Sequence, residues 1–198
     1  MPTPSAAVAA GRPRDPDVDR SILTATQDLL IEEGYAGTTI AAVAARAHCG
    51  KSAIYRRWAT KAELVVAAVL ATQVSPSLPD TGDLREDLLA SAMHYSDSGD
   101  RAGSVLASVL SEMGRDRELY DAAYEKIGAP PTETLIAVVE RWRDRGRVPR
   151  ETKVRLIASV IPTAAFGSVV LRRRALTAAQ ITELVDDIIL PALTARAS

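Results

Sequence analysis

An all-α chain in two parts is what this sequence predicts, and three observations predict it. Apolar residues recur at three-four spacing in nearly every segment, and no stretch alternates as a strand would. A helix-turn-helix pattern occupies residues 38–63. Ser75-Pro76-Ser77-Leu78-Pro79 then breaks the chain, and the helices beyond it differ in character. The expected organisation is a flexible basic arm over 1–16, a helix-turn-helix domain over 17–70, and a larger helical domain over 71–198.

Residues 1–16 carry Pro and Ala without periodicity. Within them Arg12 and Arg14 flank Pro13, two guanidinium groups on a stiffened backbone that could enter a minor groove beside a helix-turn-helix. The first helix is expected from Asp17 to Glu33, with Val18, Ile22, Ala25 and Leu29 inward and Gly34 as its stop. Thr38 reads as the N-cap of the next helix, with Thr39 on its first turn. That helix buries Ile40, Val43, Ala44 and Ala47. His48-Cys49-Gly50 makes the turn, with the bend open to either His48 or Gly50.

The second helix of the pair turns Ile54 and Trp58 inward and Lys51, Ser52, Tyr55, Arg56 and Arg57 outward. From Arg46 to Lys61 there are basic residues and no acidic one. An apolar back with a basic, hydroxyl-bearing front suits a DNA major groove, so this stretch is the candidate recognition helix. Thr60-Lys61-Ala62-Glu63 reads as a capping box opening a third helix.

The second part opens with a helix capped by Asp83 and bearing Leu84, Leu88, Ala92 and Tyr95. Helices over about 102–113 and 116–127 follow. Pro130-Pro131 is expected to restart the chain before an amphipathic helix from Thr132 to Arg145. From Glu151 to Leu171 apolar residues lie almost all round, with a kink expected at Pro162. Thr177 then caps a last helix rich in Ile, Leu and Val. A helix apolar on every face must be covered on every face. A homodimer through the helices near 151–171 and 178–194 would supply that cover.

Composition limits the alternatives. The apolar share is 47% and the charged share 25%, ordinary for a globular protein. A net charge of −1 means that any attraction for nucleic acid must be local. Cys49 is the only cysteine, which fits a reducing compartment. The start of the chain lacks the long apolar run of a secretory leader, and charges interrupt every apolar run before the roughly 18 residues a bilayer requires. A cytoplasmic protein without a membrane partner is expected. His48 and His94 fall in different parts of the chain, and no Gly-rich phosphate loop or nucleophile elbow occurs. No enzyme, metal or cofactor is expected, and Cys49 reads as a small buried thiol.

The ordered series Glu33-Gly34-Tyr35, Thr38-Thr39-Ile40, Ala44, Lys51, Ile54-Tyr55, Trp58, Lys61 and Leu64 resembles the tetracycline-repressor (TetR) family of bacterial transcriptional regulators. The likeness is strongest over 12–70. It departs in the turn, where His48 stands in a place commonly Gly and Gly50 in one commonly Ser. The resemblance implies that Thr39, Tyr55 and Lys61 bind phosphates, while Lys51, Ser52, Ala53 and Arg56 or Arg57 face base edges or nearby phosphates. It also implies a repressor that binds a palindromic operator in double-stranded DNA as a homodimer and is released by a small apolar effector. The candidate lining for that effector is Met93, Tyr95, Met113, Tyr120, Tyr124, Trp142 and Phe166. The competing expectation is an all-helical ligand-binding or enzymatic protein with a vestigial helix-turn-helix.

Overall fold

The computed structural model describes residues 16–73, 75, 77–96, 99–172 and 174–195. Arg12 and Arg14 lie outside the described residues, and so does Pro76 of the break. Every named element among the described residues is helical.

Helix α1 spans Pro16–Gly37, but Gly34 (φ 67°, ψ −176°) leaves helical geometry inside it. Only a residue without Cβ takes that conformation freely, so the chain bends there and Tyr35 turns inward. Thr38 does not cap the next helix. It is buried, and its hydroxyl donates to the Gly34 carbonyl at 2.8 Å. Thr39 is the N-cap instead, accepting from the Ala42 N–H at 3.1 Å and opening α2, Ile40–Arg46. The burial of Thr38 moved the cap by one residue.

His48 makes the turn at φ 51°, while Gly50 is extended and stands at the N-cap of α3, Lys51–Tyr55. Helix α4, Lys61–Leu70, is capped by Thr60, whose hydroxyl accepts from the Glu63 N–H. The Glu63 carboxylate reaches back to the Ala59 N–H at 2.8 Å, one residue earlier than a capping box requires. Ile22, Leu29, Val43, Ile54 and Leu64 form the small core of this head.

Helix α5, Leu84–Ala92, is capped by Asp83 as expected. Helix α6 spans Asp100–Leu110. Helix α7, Arg117–Ala123, is capped by Asp116 and does not stop at the double proline. It passes through a π-helical turn, Tyr124–Gly128, directly into α8, Ala129–Asp144. Pro130 and Pro131 need no amide partner at the start of α8, and the wide turn lets the helix bend past them.

A single backbone break separates α9, Val154–Ala158, from α10, Val160–Arg172. Pro162 has no N–H for the Ala158 carbonyl, so the break falls just ahead of the proline. Together these two are long and apolar enough to cross a membrane by length and composition, but Val154, Ala158, Ile161, Ala165 and Val169 are buried in the core. Helix α11, Ala178–Glu183, starts with a Thr177–Gln180 capping box and runs through a π-helical stretch, Leu184–Ile189, into α12, Leu190–Thr194.

A second apolar cluster joins Leu30, Tyr35, Val65, Val66 and Val69 to Val105, Val109, Leu119 and Ile127. The expected boundary after residue 70 is therefore a break in the chain but not in the packing. The largest cluster gathers α5, α8, α9, α10 and the C-terminal helices. Inside it Asp87 is fully buried. Its carboxylate accepts from the Thr81 N–H and hydroxyl (2.7 Å each), the Arg141 guanidinium (2.8 Å) and the Trp142 indole N–H (2.8 Å).

Candidate nucleic-acid interface and effector cavity

The turn sets the geometry of α3. Ile54 is 0% exposed, and it pins the helix to the head core, with half-buried Trp58 behind it. Lys51, Ser52, Tyr55 and Arg56 are left on the outside, and Tyr55 is 53% exposed. Thr39 is exposed at the start of α2. Its cap bond uses the hydroxyl oxygen as acceptor and leaves the hydroxyl hydrogen available to an outside anion.

Two of the expected contacts are corrected. Arg57 is not on the outer face: its side chain is 10% exposed, ion-paired to Asp19 of α1, and it donates to the Ala53 carbonyl at 2.9 Å. Ala53 is itself half-buried. Lys61 is turned inward. Its ammonium donates to the Tyr35 carbonyl at 2.5 Å and lies 3.9 Å from the centre of the Tyr35 ring. Burial holds its pKa below the ordinary lysine value, against the pull of Asp116 and Glu112. Arg46 pairs with Glu32 at 2.7 Å. Among the described residues of this basic stretch, Lys51 and Arg56 are the exposed cations that neither pair with a carboxylate, as Arg46 and Arg57 do, nor turn inward, as Lys61 does. The positive field at this end therefore comes from two side chains on one short helix.

Cys49 is half-buried in the turn, and burial pushes its thiol pKa up, which disfavours the reactive thiolate.

The head is tied to the rest by polar contacts as well as by the shared cluster. The Tyr35 phenol donates to Asp116 at 3.0 Å, and Asp116 also caps α7 through the Leu119 N–H at 2.9 Å. Ser108 of α6 donates to the Leu30 carbonyl at 2.8 Å, and Arg101 pairs with Asp28 at 2.8 Å.

Between α6, the π-helical turn, α8 and α10 lies a cavity of about 320 Å³. That is the size of a small-molecule site. Of the seven expected lining residues, Met113, Tyr124 and Phe166 meet here. Tyr95 and Phe166 border a separate void of about 50 Å³ together with His94. The other three do not line the main cavity. Trp142 is buried core, its N–H given to Asp87. Met93 packs against that same core. Tyr120 is 42% exposed and stacks on Tyr124 with ring centres 5.9 Å apart. Helical spacing marks aromatic and Met residues, but not which side of a helix faces empty space.

Residues 22–68 match the family model described as bacterial regulatory proteins of the tetR family, and residues 78–188 match the tetracyclin repressor-like C-terminal domain. This chain belongs to the TetR family. An uncharacterised helix-turn-helix-type transcriptional regulator of Mycobacterium tuberculosis is 32% identical over 93% of this chain and 94% of its own length. A DNA-binding transcriptional repressor, TetR, of Mycobacteroides abscessus is 32% identical over 86% of this chain and 90% of its own. Among solved structures, a TetR-family regulator from Rhodococcus sp. superposes with a TM-score of 0.70 at 13% identity, covering 91% of this chain and all of its own. As a TetR-family protein, the chain is a DNA-binding transcriptional regulator.

Proposed function

We propose that this TetR-family regulator is a homodimeric repressor. Each subunit lays α3 in the major groove of one half of a palindromic operator, and the complex is released when a small molecule fills the cavity. The observation that carries the reading is the outer face of α3. Lys51, Ser52, Tyr55 and Arg56 are exposed there with Ile54 buried behind them, and the Thr39 hydroxyl is exposed at the start of α2. Tyr55 and Thr39 are assigned to phosphates, and Lys51, Ser52 and Arg56 to base edges or adjacent phosphates.

Dimerisation is supported by the apolar surface left on the C-terminal helices, where Leu171 is 83%, Ile188 48% and Val170 42% exposed. A groove bordered by Gly167, Leu171, Leu184 and Ile188 separates α10 from the C-terminal helices and would receive a partner's side chains. Two heads on one face of the duplex read half-sites about 34–36 Å apart.

Coupling follows from shared walls. Helices α6 and α7, which bound the cavity, are the same helices that hold α1 through Ser108, Arg101 and the Tyr35–Asp116 bond and hold α4 through the shared apolar cluster. A ligand that moves them moves the head, by no more than its difference in affinity for the two arrangements.

Selection of bound DNA from a random pool by the purified full-length protein tests the reading. Enrichment of an inverted repeat is expected, and a pool that stays random overturns it. On the selected site, Tyr55→Phe should weaken binding to all sequences alike, while Lys51→Ala and Arg56→Ala should relax the choice of base.

A further inference from the structure

We propose that the molecule taken into the 320 Å³ cavity is an organic cation: an aromatic or aliphatic body carrying a protonated amine, with the charge seated on Glu133. This rests on the reading of that cavity as the effector site, and it names the chemistry the site selects.

The walls are mostly apolar, with Met113, Tyr124, Ile127, Pro162 and Phe166 giving a body of modest size its contacts. Glu133 is the one charged side chain among the described residues that line it. Of the four hydroxyl-bearing residues that line it, Tyr124, Thr132, Ser159 and Thr163, two point the same way. Thr132 gives its hydrogen to the Gly128 carbonyl at 2.9 Å, so its 3.3 Å contact with Tyr95 is the phenol donating. Ser159 gives its hydrogen to the Leu156 carbonyl at 2.7 Å. Each of these oxygens keeps lone pairs and has no hydrogen left to offer.

A carboxylate at the rim of an apolar hollow, with two hydroxyl oxygens beside it that can only accept, disfavours an anion. Together they favour a donor, and a charged donor most of all. The rings add to the preference, since aromatic faces attract cations.

Glu133 already has a weak partner. Arg155 of α9 approaches it at 3.3 Å, with both side chains largely exposed (73% and 57%). An exposed pair of this kind is held loosely. An incoming ammonium can replace Arg155 at the rim, and the displaced guanidinium returns to water at little cost.

The test uses three molecules of nearly one shape with the full-length protein at pH 7: 2-naphthylmethylamine, 2-naphthylmethanol and 2-naphthoate, followed by titration calorimetry. The amine should bind about tenfold more tightly than the alcohol, and naphthoate most weakly. Glu133→Gln should abolish the difference between amine and alcohol without weakening the alcohol. Arg155→Ala should tighten the amine by a few fold, because its competitor is gone. Phe166→Ala should weaken all three, which places them in this cavity. If the alcohol or naphthoate matches the amine while Phe166→Ala still weakens binding, the cation assignment falls and the cavity reading stands. A preference that survives Glu133→Gln removes Glu133 from the role. Failure of all three to bind overturns the assignment and the cavity reading together.

Discussion

The two ends of this molecule treat charge in opposite ways. Among the described residues the head buries no charged side chain fully and holds Lys51 and Arg56 at the surface, with Arg57 tied down at the edge by Asp19. The far end buries a carboxylate, Asp87, under four donors from Thr81, Arg141 and Trp142. The head needs only a scaffold that presents chemistry outward. The far end must fix α5 against α8 while a cavity stays open a few turns away, and a directional polar knot does that better than side chains that can slide. Between the two, a third cluster belongs to both.

The largest expected effect breaks the far end. Asp87→Ala strands the Trp142 N–H in the core and leaves the Arg141 guanidinium only the Pro79 carbonyl and Asp80, which should cost about 3–5 kcal/mol in a denaturant titration. Acid should attack the same knot. Burial alone would raise the Asp87 pKa, but the Thr81 N–H and hydroxyl, Trp142 and Arg141 outweigh it and hold the carboxyl below the usual carboxylate range. A depressed folded pKa gives stability that is present above about pH 4 and lost as pH falls through the folded value. Stability measured from pH 6 downward should fall below about pH 4, and Asp87→Asn should flatten that fall.

The next substitution tests whether head and far end are separate. Leu119 is fully buried in the cluster they share. Leu119→Ala should cost about 2–5 kcal/mol. Hydrogen exchange should then show α1 and α4 losing protection together with α6 and α7. Loss confined to α6 and α7 would make the head independent.

A smaller effect is confined to the head. Arg57→Ala frees the end of α3 from α1, at a cost on the order of 1 kcal/mol. Operator binding should weaken although no DNA contact is assigned to Arg57. Smallest is His48→Gly. The φ of 51° strains any residue with a Cβ, whereas glycine costs more to order, so the exchange should stabilise by less than about 1 kcal/mol.

These two regions were also unequally legible in the sequence. In the head, spacing carries meaning: Gly34 breaks α1 as expected, Ile54 is buried, and Tyr55 and Arg56 face out. What failed there was long-range. Nothing near Arg57 or Lys61 in the chain announces Asp19 or the Tyr35 carbonyl, which lie 38 and 26 residues away. The place of the bend became visible only in the backbone, since His48 and Gly50 could both supply it. In the other half, function depends on where helices fail to touch. Trp142 and Met113 have equal claim as pocket residues by type, and only packing divides them. Glu133 was missed because a carboxylate on an amphipathic helix looks like any solvated one. The continuity of α7 into α8 was hidden by Pro130-Pro131, which signal a stop unless a wide turn precedes them.

Because Tyr35, Val65, Val66 and Val69 bury themselves against α6 and α7, a crossover between two relatives near residue 70 would mate surfaces that were never selected together. Lineages of such regulators should seldom acquire a new target by exchanging whole N-terminal segments. Point changes at Lys51, Ser52 and Arg56, none of which helps hold the halves together, are the route that leaves the joint undisturbed.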